Sequence, residues 1–258
     1  MRKIVLALAA TAVLPAAFFA TPAFADDAAP PSAFTISGGA TLVSDYRFRG
    51  ISQTDKRFAV QGTLTVSHSS GFYATVWGSS IDDYIANGSD EEIDLIAGYS
   101  KAFSGITFDG GVLYYYYPGS GGINSDFFEP YASLKTTYGP VTGKVGVAYA
   151  PKQHAIAWNE SRSDNLYLYG ELSGAVGPIA LTSHLGYTKG KSFMTGGLKN
   201  YLDWNIGASY TWNHLTFGVS YVDTDIKRSD SPDAPGVFVP KSRFIAKAGV
   251  VGSVGVAF

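Results

Sequence analysis

Along most of the chain apolar and polar residues alternate one by one, the period of a strand rather than a helix. Twelve such segments fall at about 34–48, 57–67, 72–81, 92–101, 106–117, 127–138, 140–150, 164–173, 178–188, 201–212, 214–224 and 243–258. In the first, Phe34, Ile36, Ala40, Leu42, Tyr46 and Phe48 share one face. Thr35, Ser37, Thr41, Asp45, Arg47 and Arg49 share the other. In the tenth, Leu202, Trp204, Ile206, Ala208, Tyr210 and Trp212 oppose Asp203, Asn205, Ser209 and Thr211. In the last, Phe244, Ala246, Ala248, Val250, Gly252, Val254, Val256 and Phe258 form one apolar face, with Ile245 and Lys247 on the other. The third, FYATVWGSSI, is mixed and gives no orientation.

The connections alternate as well. After every second segment they are short (HSSG, AFSG, YGP, SGAVGP, WNH). After the others they are longer and polar, for example DDYIANGSDEE, PGSGGINSD, PKQHAIAWNESRS and TKGKSFMTGGLKN, and the longest runs over 225–242. Outer-membrane barrels have short periplasmic turns and long extracellular loops. The pattern therefore predicts an all-β fold, a 12-stranded antiparallel transmembrane β-barrel with both termini periplasmic. An apolar strand ending on Phe258 fits a last strand that pairs with the first to close the sheet, with its outer face against lipid.

Aromatic residues sharpen this picture. On the faces read as outward, Tyr46, Phe48, Phe58, Tyr114, Tyr116, Phe128, Tyr149, Tyr187, Trp204, Tyr221 and Phe244 gather towards the long connections. Tyr99, Phe108, Tyr138, Tyr210, Trp212 and Phe258 gather towards the short ones. Amphipathic rings prefer the headgroup level, so a bilayer selects two girdles around an aliphatic band. The ordinary strand preference of Tyr and Phe would spread them evenly instead.

Arg2 and Lys3, an apolar run from Ile4 to Ala20 and the sequence Ala23-Phe24-Ala25 form a secretory signal peptide over 1–25. Cleavage after Ala25 leaves 233 of the 258 residues: a short periplasmic leader at 26–33 and the barrel at 34–258. The eight residues of the leader are too few for an N-terminal plug domain. Loss of Arg2 and Lys3 leaves 17 of the 19 basic residues against 21 acidic ones, which gives no basic footprint for nucleic acid. The chain has no cysteine, so it uses neither disulfides nor Cys-ligated metal.

The stretch LVSDYRFRGISQTDKRFAVQG, Leu42 to Gly62, resembles the signature region of the TorF family of porin-like proteins, also known as a proteobacterial domain of unknown function. EEIDLIAGYS, FDGGVLYYYYPG, FFEPYASL, NLYLYGEL, HLGYTKG, YLDWNIGASYT and FGVSYVDTD are similar to it too, and follow in the expected order. The resemblance implies an outer-membrane porin of a Gram-negative bacterium, and a terminal Phe258 read by the outer-membrane assembly machinery. The final long loop, SDSPDAPGVFVPKS, departs from the pattern.

Period two aims a set of charged and aromatic residues inward. They are Asp45, Arg47, Arg49, Asp94, Asp109, Tyr115, Tyr117, Glu129, Lys135, Lys144, Tyr167, Tyr169, Glu171, His184, Asp203 and Lys247. Such residues line an aqueous path and tune its ion selectivity, or they form ion pairs that fill a narrow lumen. Both signs are present, which predicts at most modest selectivity. Arg47 and Arg49 near the extracellular mouth are placed to capture an anionic solute, or to pair with Asp94 or Glu129 and pin the wall. The tyrosines read as a stacking track or as lumen filling. The acidic loop at Asp82, Asp83, Asp90, Glu91 and Glu92 reads either as a site that binds divalent cations or bridges to lipopolysaccharide, or, the commoner case, as solvated charge; it lacks the ligand order of an EF-hand. Neither GxSxG nor HExxH occurs, and of the four histidines only His184 faces inward on a strand, so no enzyme is expected and no cofactor or metal.

The expected function is passive diffusion of small hydrophilic solutes or ions across the outer membrane. Lipid, lipopolysaccharide and the assembly machinery are the expected partners, with a monomer favoured over a trimer. The alternative is a closed barrel that serves as a structural or adhesive surface anchor through its long loops.

Overall fold

A strand with one apolar and one polar face needs two different environments, and a closed sheet supplies them as outside and inside. The computed structural model describes residues 32–230, 238, 240 and 243–258. The signal peptide, most of the leader, and much of the loop at 225–242 lie outside the described residues.

Among the described residues, twelve strands close into one antiparallel barrel. In chain order they are β1 (Phe34–Val43), β4 (Ala59–His68), β5 (Phe72–Ser80), β6 (Glu91–Phe103), β7 (Ile106–Tyr116), β8 (Phe127–Tyr138), β9 (Val141–Gln153), β10 (Ser163–Val176), β11 (Ile179–Lys189), β12 (Asn200–Trp212), β13 (Leu215–Thr224) and β14 (Gly249–Ala257). Two further strands, β2 (Arg47–Phe48) and β3 (Ile51–Ser52), pair only with each other. Each barrel strand pairs with its chain neighbours, and β14 returns to β1. That seam is short. It holds five register pairs, Gly39–Ala257 to Val43–Ser253. Backbone bonds between Gly38 and Phe258 extend it, and the Phe258 ring lies where a Cβ on Gly38 would stand. Among the described residues no helix is long and apolar enough to cross a membrane.

The short connections are tight hairpins. Ser104 (φ 46°) and Gly105 (φ 85°) both adopt left-handed backbone, the twist-matched turn for two antiparallel strands. All short turns lie at one end of the barrel and all long loops at the other.

The outer wall carries an exposed apolar band that includes Val76, Leu95, Val145, Leu185, Ile206 and Val219. Rings flank it at both ends: Phe58, Tyr114, Phe128 and Tyr149 towards the long loops, Phe72, Tyr138, Trp212 and Phe258 towards the short turns. The strand that the sequence left unoriented is now placed: Tyr73, Thr75, Trp77 and Ser79 point inward and Phe72, Ala74 and Val76 outward. Ile206, mid-strand and 64% exposed, offers a direct test of the outer face. Ile206→Arg is expected to cost about 2–4 kcal/mol of folding stability in vesicles, the range for a charge near the bilayer midplane. Ser209→Lys, which turns its charge into the lumen, is expected to cost far less. Urea titration of both in the same lipid checks this, and equal costs would remove the lipid assignment.

Candidate functional site

β1 stops at Val43, yet the residues that follow from Asp45 to Asp55 are buried, with only Phe48 partly exposed. At Ser44 the chain still bonds the wall, its amide donating to the Gly252 carbonyl at 2.9 Å and its hydroxyl accepting from the Gly252 amide at 2.9 Å. Beyond Ser44 the chain leaves the wall and turns into the lumen. Residues 45–55 carry the small β2–β3 hairpin, whose two-residue turn is Arg49 (φ 46°) and Gly50 (φ 81°). A Cβ on Gly50 would stand 2.4 Å from Thr224 Cγ2, so only glycine fits this hairpin tip against β13.

Polar side chains hold the segment together. Asp45 accepts from Arg47 Nε at 2.6 Å, from the Ser52 hydroxyl at 2.5 Å and from the Thr54 hydroxyl at 3.3 Å. Arg47 Nη1 reaches three carbonyls, those of Gly50, Ile245 and Lys247, at 2.9, 3.2 and 3.0 Å. Tyr46 donates to Glu92 at 2.7 Å and meets the Trp77 ring edge-on at 5.4 Å. Arg57 pairs with Asp82 at the mouth.

Arg49 is the anchor at the hairpin tip. Its Nη2 bonds both Glu129 oxygens at 2.7 and 2.8 Å, and its Nη1 bonds Asn165 at 3.0 Å. The guanidinium lies over the Tyr167 ring at 4.1 Å and the Phe48 ring at 4.8 Å. Tyr201 donates to its backbone carbonyl at 3.2 Å. Burial alone would lower the Arg49 pKa, but the Glu129 carboxylate raises it above the ordinary arginine range, so the cation is locked in.

Around this segment the lumen is filled. In the half nearer the long loops, inward residues from β4 to β13 are buried, among them Gln61, Glu92, Glu129, Asn165, Thr188 and Asp203. Towards the short turns the same faces open to water. On β8 the inward series runs from buried Glu129, Tyr131 and Ser133 through half-buried Lys135 to exposed Thr137. On β10 it runs from buried Tyr167 and Tyr169 through half-buried Glu171 and Ser173 to exposed Ala175. The result is a polar vestibule, closed above by the inserted segment.

A second network floors that filled half. His184 Nε2 shares a 2.7 Å hydrogen bond with the Tyr167 hydroxyl and sits 3.2 Å from Asp203, while its Nδ1 is 3.4 Å from Glu171. Lys144 pairs with Glu171 at 3.4 Å. The Tyr167, Tyr169 and His184 rings stack with centroids 5.7–6.2 Å apart. Tyrosines lie across glycines of neighbouring strands: a Cβ on Gly146 would stand 2.4 Å from Tyr169 Cζ, and one on Gly186 2.2 Å from the Tyr167 hydroxyl. The small glycines make room for rings that lie flat on the wall.

A family model described as bacterial protein of unknown function (Gcw_chp) matches residues 27–247. The chain belongs to the Gcw_chp family. No curated protein sequence matches it. Among solved structures this Gcw_chp barrel is similar to a NanC porin, with a TM-score of 0.55 and 12% identity over 87% of this chain and 99% of that one. It is also similar to a KdgM porin solved in complex with disordered oligogalacturonate, with a TM-score of 0.53 and 12% identity over 86% and 97%. These likenesses show a shared outer-membrane porin fold.

The Gcw_chp structure places the sequence candidates as follows. Asp94, Asp109, Tyr115, Glu129, Lys135, Lys144, Tyr167, Tyr169, Glu171, His184 and Asp203 all face the lumen from barrel strands, and Tyr117 joins them just past β7. Asp45, Arg47 and Arg49 are also inside, but they come from the inserted segment and not from β1, which stops at Val43. Of the two partners weighed for the arginines, Glu129 takes Arg49, and Arg47 takes Asp45. Lys247 is corrected: it lies in an exposed turn before β14, because the last strand begins at Gly249 rather than near Arg243. Tyr46, read as an outer girdle residue, is 0% exposed in the lumen. Phe48 packs on Tyr115, and Phe244 packs with Ile51 and Phe238. Asn165, Tyr201 and Ile245 were missed as holders of the segment; the inward alternation of β10 and β12 was the available signal for the first two. The vestibule acid Asp109 accepts from Tyr73 at 2.9 Å. Among the described residues no group of three or more His, Cys, Asp or Glu side chains is arranged to hold a metal ion.

Proposed function

We propose that the chain is an outer-membrane channel for passive diffusion of small hydrophilic solutes, occluded in this conformation by residues 45–55. One observation carries the reading: the apolar outer band encloses a charged lumen whose inward faces grade from buried to water-accessible along β8 and β10. A lumen meant only to be packed gains nothing from the Lys135, Lys144, Glu171 and Asp109 charges in its accessible half. The porin fold shared with the NanC and KdgM structures, and the TorF-like stretch over Leu42 to Gly62, support it. In this reading the signal peptide exports the chain, Phe258 serves as the assembly signal, and the short turns face the periplasm. The long loops then meet lipopolysaccharide. The protein works as a monomer, without cofactor and without a catalytic step.

The filled half of the lumen favours a second reading, a closed barrel that anchors its loops at the cell surface. Single-channel recording of refolded protein in a planar bilayer separates the two. The channel reading expects small, infrequent steps, with a reversal potential in a salt gradient that shows modest selectivity. A silent membrane containing folded barrel would leave the anchor. Hydrolysis of lipid or peptide by the pure protein, abolished by His184→Ala, would overturn both.

A further inference from the structure

The charges of the filled half do not balance. Arg49 is committed to Glu129, Arg47 to Asp45 and Arg57 to Asp82. Glu92 and Asp94, two residues apart on the inward face of β6, have no ion-pair partner among the described residues, and both are buried. Glu92 accepts one hydrogen bond on each oxygen, from Tyr46 at 2.7 Å and Tyr117 at 3.1 Å. Asp94 is 0% exposed, and neither of its oxygens has a hydrogen-bond partner. Its neighbours in register are Trp77 on β5 and Tyr115 on β7. Two adjacent carboxylates walled by aromatic rings and left without a counter-charge are strongly unfavourable in a low-dielectric interior.

We propose that Glu92 and Asp94 form a lumen site for a hard divalent cation, calcium or magnesium. A charge of two neutralises the pair, and an all-oxygen environment selects hard ions over transition metals. The Tyr46 and Tyr117 hydroxyls fix the Glu92 carboxylate and leave its second lone pairs for the ion, while Asp94 offers both oxygens. With only two carboxylates the site is weak, with a dissociation constant of about 10⁻⁴–10⁻³ M. Tyr46 belongs to the inserted segment and Glu92 to the wall, so the bound ion ties the segment in place. The site stands whether or not the barrel conducts.

Terbium is the test probe, because bound Tb³⁺ emits when nearby Tyr or Trp rings are excited. Full-length refolded protein in a non-ionic detergent is expected to show sensitised emission that calcium and magnesium displace and sodium at equal concentration does not. Asp94→Asn and Glu92→Gln are each expected to weaken terbium binding at least about tenfold, the smallest loss expected even of a group that only orients a ligand. Asp109→Asn, a change in the vestibule, is expected to keep it. Emission unchanged in a folded Asp94→Asn, or emission that calcium and magnesium fail to displace, overturns the proposal. If Asp94→Asn does not fold, Glu92→Gln decides by the same criterion. A wild-type protein without sensitised emission also overturns it and leaves protonation of both carboxyls to balance the pair.

Discussion

Replacing Arg49 with alanine is expected to raise single-channel conductance several-fold and to lengthen open events. The guanidinium is buried and makes a two-oxygen pair with Glu129, a bond to Asn165 and a stack on Tyr167. Removing it strands Glu129 in the filled half, and orphaning a buried charge costs about 3–5 kcal/mol. The barrel wall has no way to relieve that cost, since its ladder fixes β8. The inserted segment does: if it withdraws, water reaches Glu129. The penalty therefore appears as displacement of residues 45–55 rather than as loss of the barrel. Glu129→Gln in the Arg49→Ala background removes the stranded charge and is expected to restore part of the occlusion. Planar-bilayer recording of the two variants, with a gel-shift assay for folded barrel, checks the pair. Unchanged conductance in folded Arg49→Ala would show that the segment does not control the lumen.

The largest stability loss is expected at a residue with no side chain. Gly186→Val places a Cβ 2.2 Å from the Tyr167 hydroxyl and 2.4 Å from Asp203 Oδ2. Both groups are buried, so neither moves aside into solvent. Overpacking of this kind costs about 1–3 kcal/mol. Parting Tyr167 from His184 and Asp203 adds about 1.5–3 kcal/mol for bonds to a charged group. Gly170→Ala is the control, because the nearest atom to its Cβ is the Lys144 carbonyl oxygen at 4.0 Å. It is expected to change stability by less than about 0.5 kcal/mol. Equilibrium unfolding in detergent or vesicles measures both. A Gly186→Val protein as stable as the control would mean that the tyrosine–glycine contacts are loose.

The barrel was legible because a strand between lipid and a polar lumen has no freedom in its alternation. Ile206 against Asn205, and Val254 against Ser253, could be read in no other order. Turn chemistry placed the short ends to within a few residues. The interior was less legible, for a specific reason. Asp45, Tyr46, Arg47 and Phe48 resume the alternation of β1 in phase after a single exception, apolar Val43 on the polar face and Ser44 on the apolar face, and so small an interruption does not by itself mark where the chain leaves the wall. The departure is set by contacts far away in sequence, such as Arg47 with the Ile245 carbonyl and Tyr46 with Glu92. The same error recurs at the other end, where Ile245 and Ala246 look like strand but turn inward to meet that segment. The one local clue was Arg49-Gly50, which reads as a tight turn once a hairpin is considered.

The inserted segment also has a place in the order of assembly. It follows the first strand of the chain, yet Arg47 takes carbonyls nearly two hundred residues later, just before β14. Contacts of such sequence separation form late, because the whole intervening chain must first be brought into position. The β1–β14 seam is the other late contact and the shortest interface of the sheet. Closure of the cylinder and setting of its contents thus fall together at the end of assembly: Arg47 completes its bonds only when the chain just before β14 reaches it, as β14 itself reaches β1.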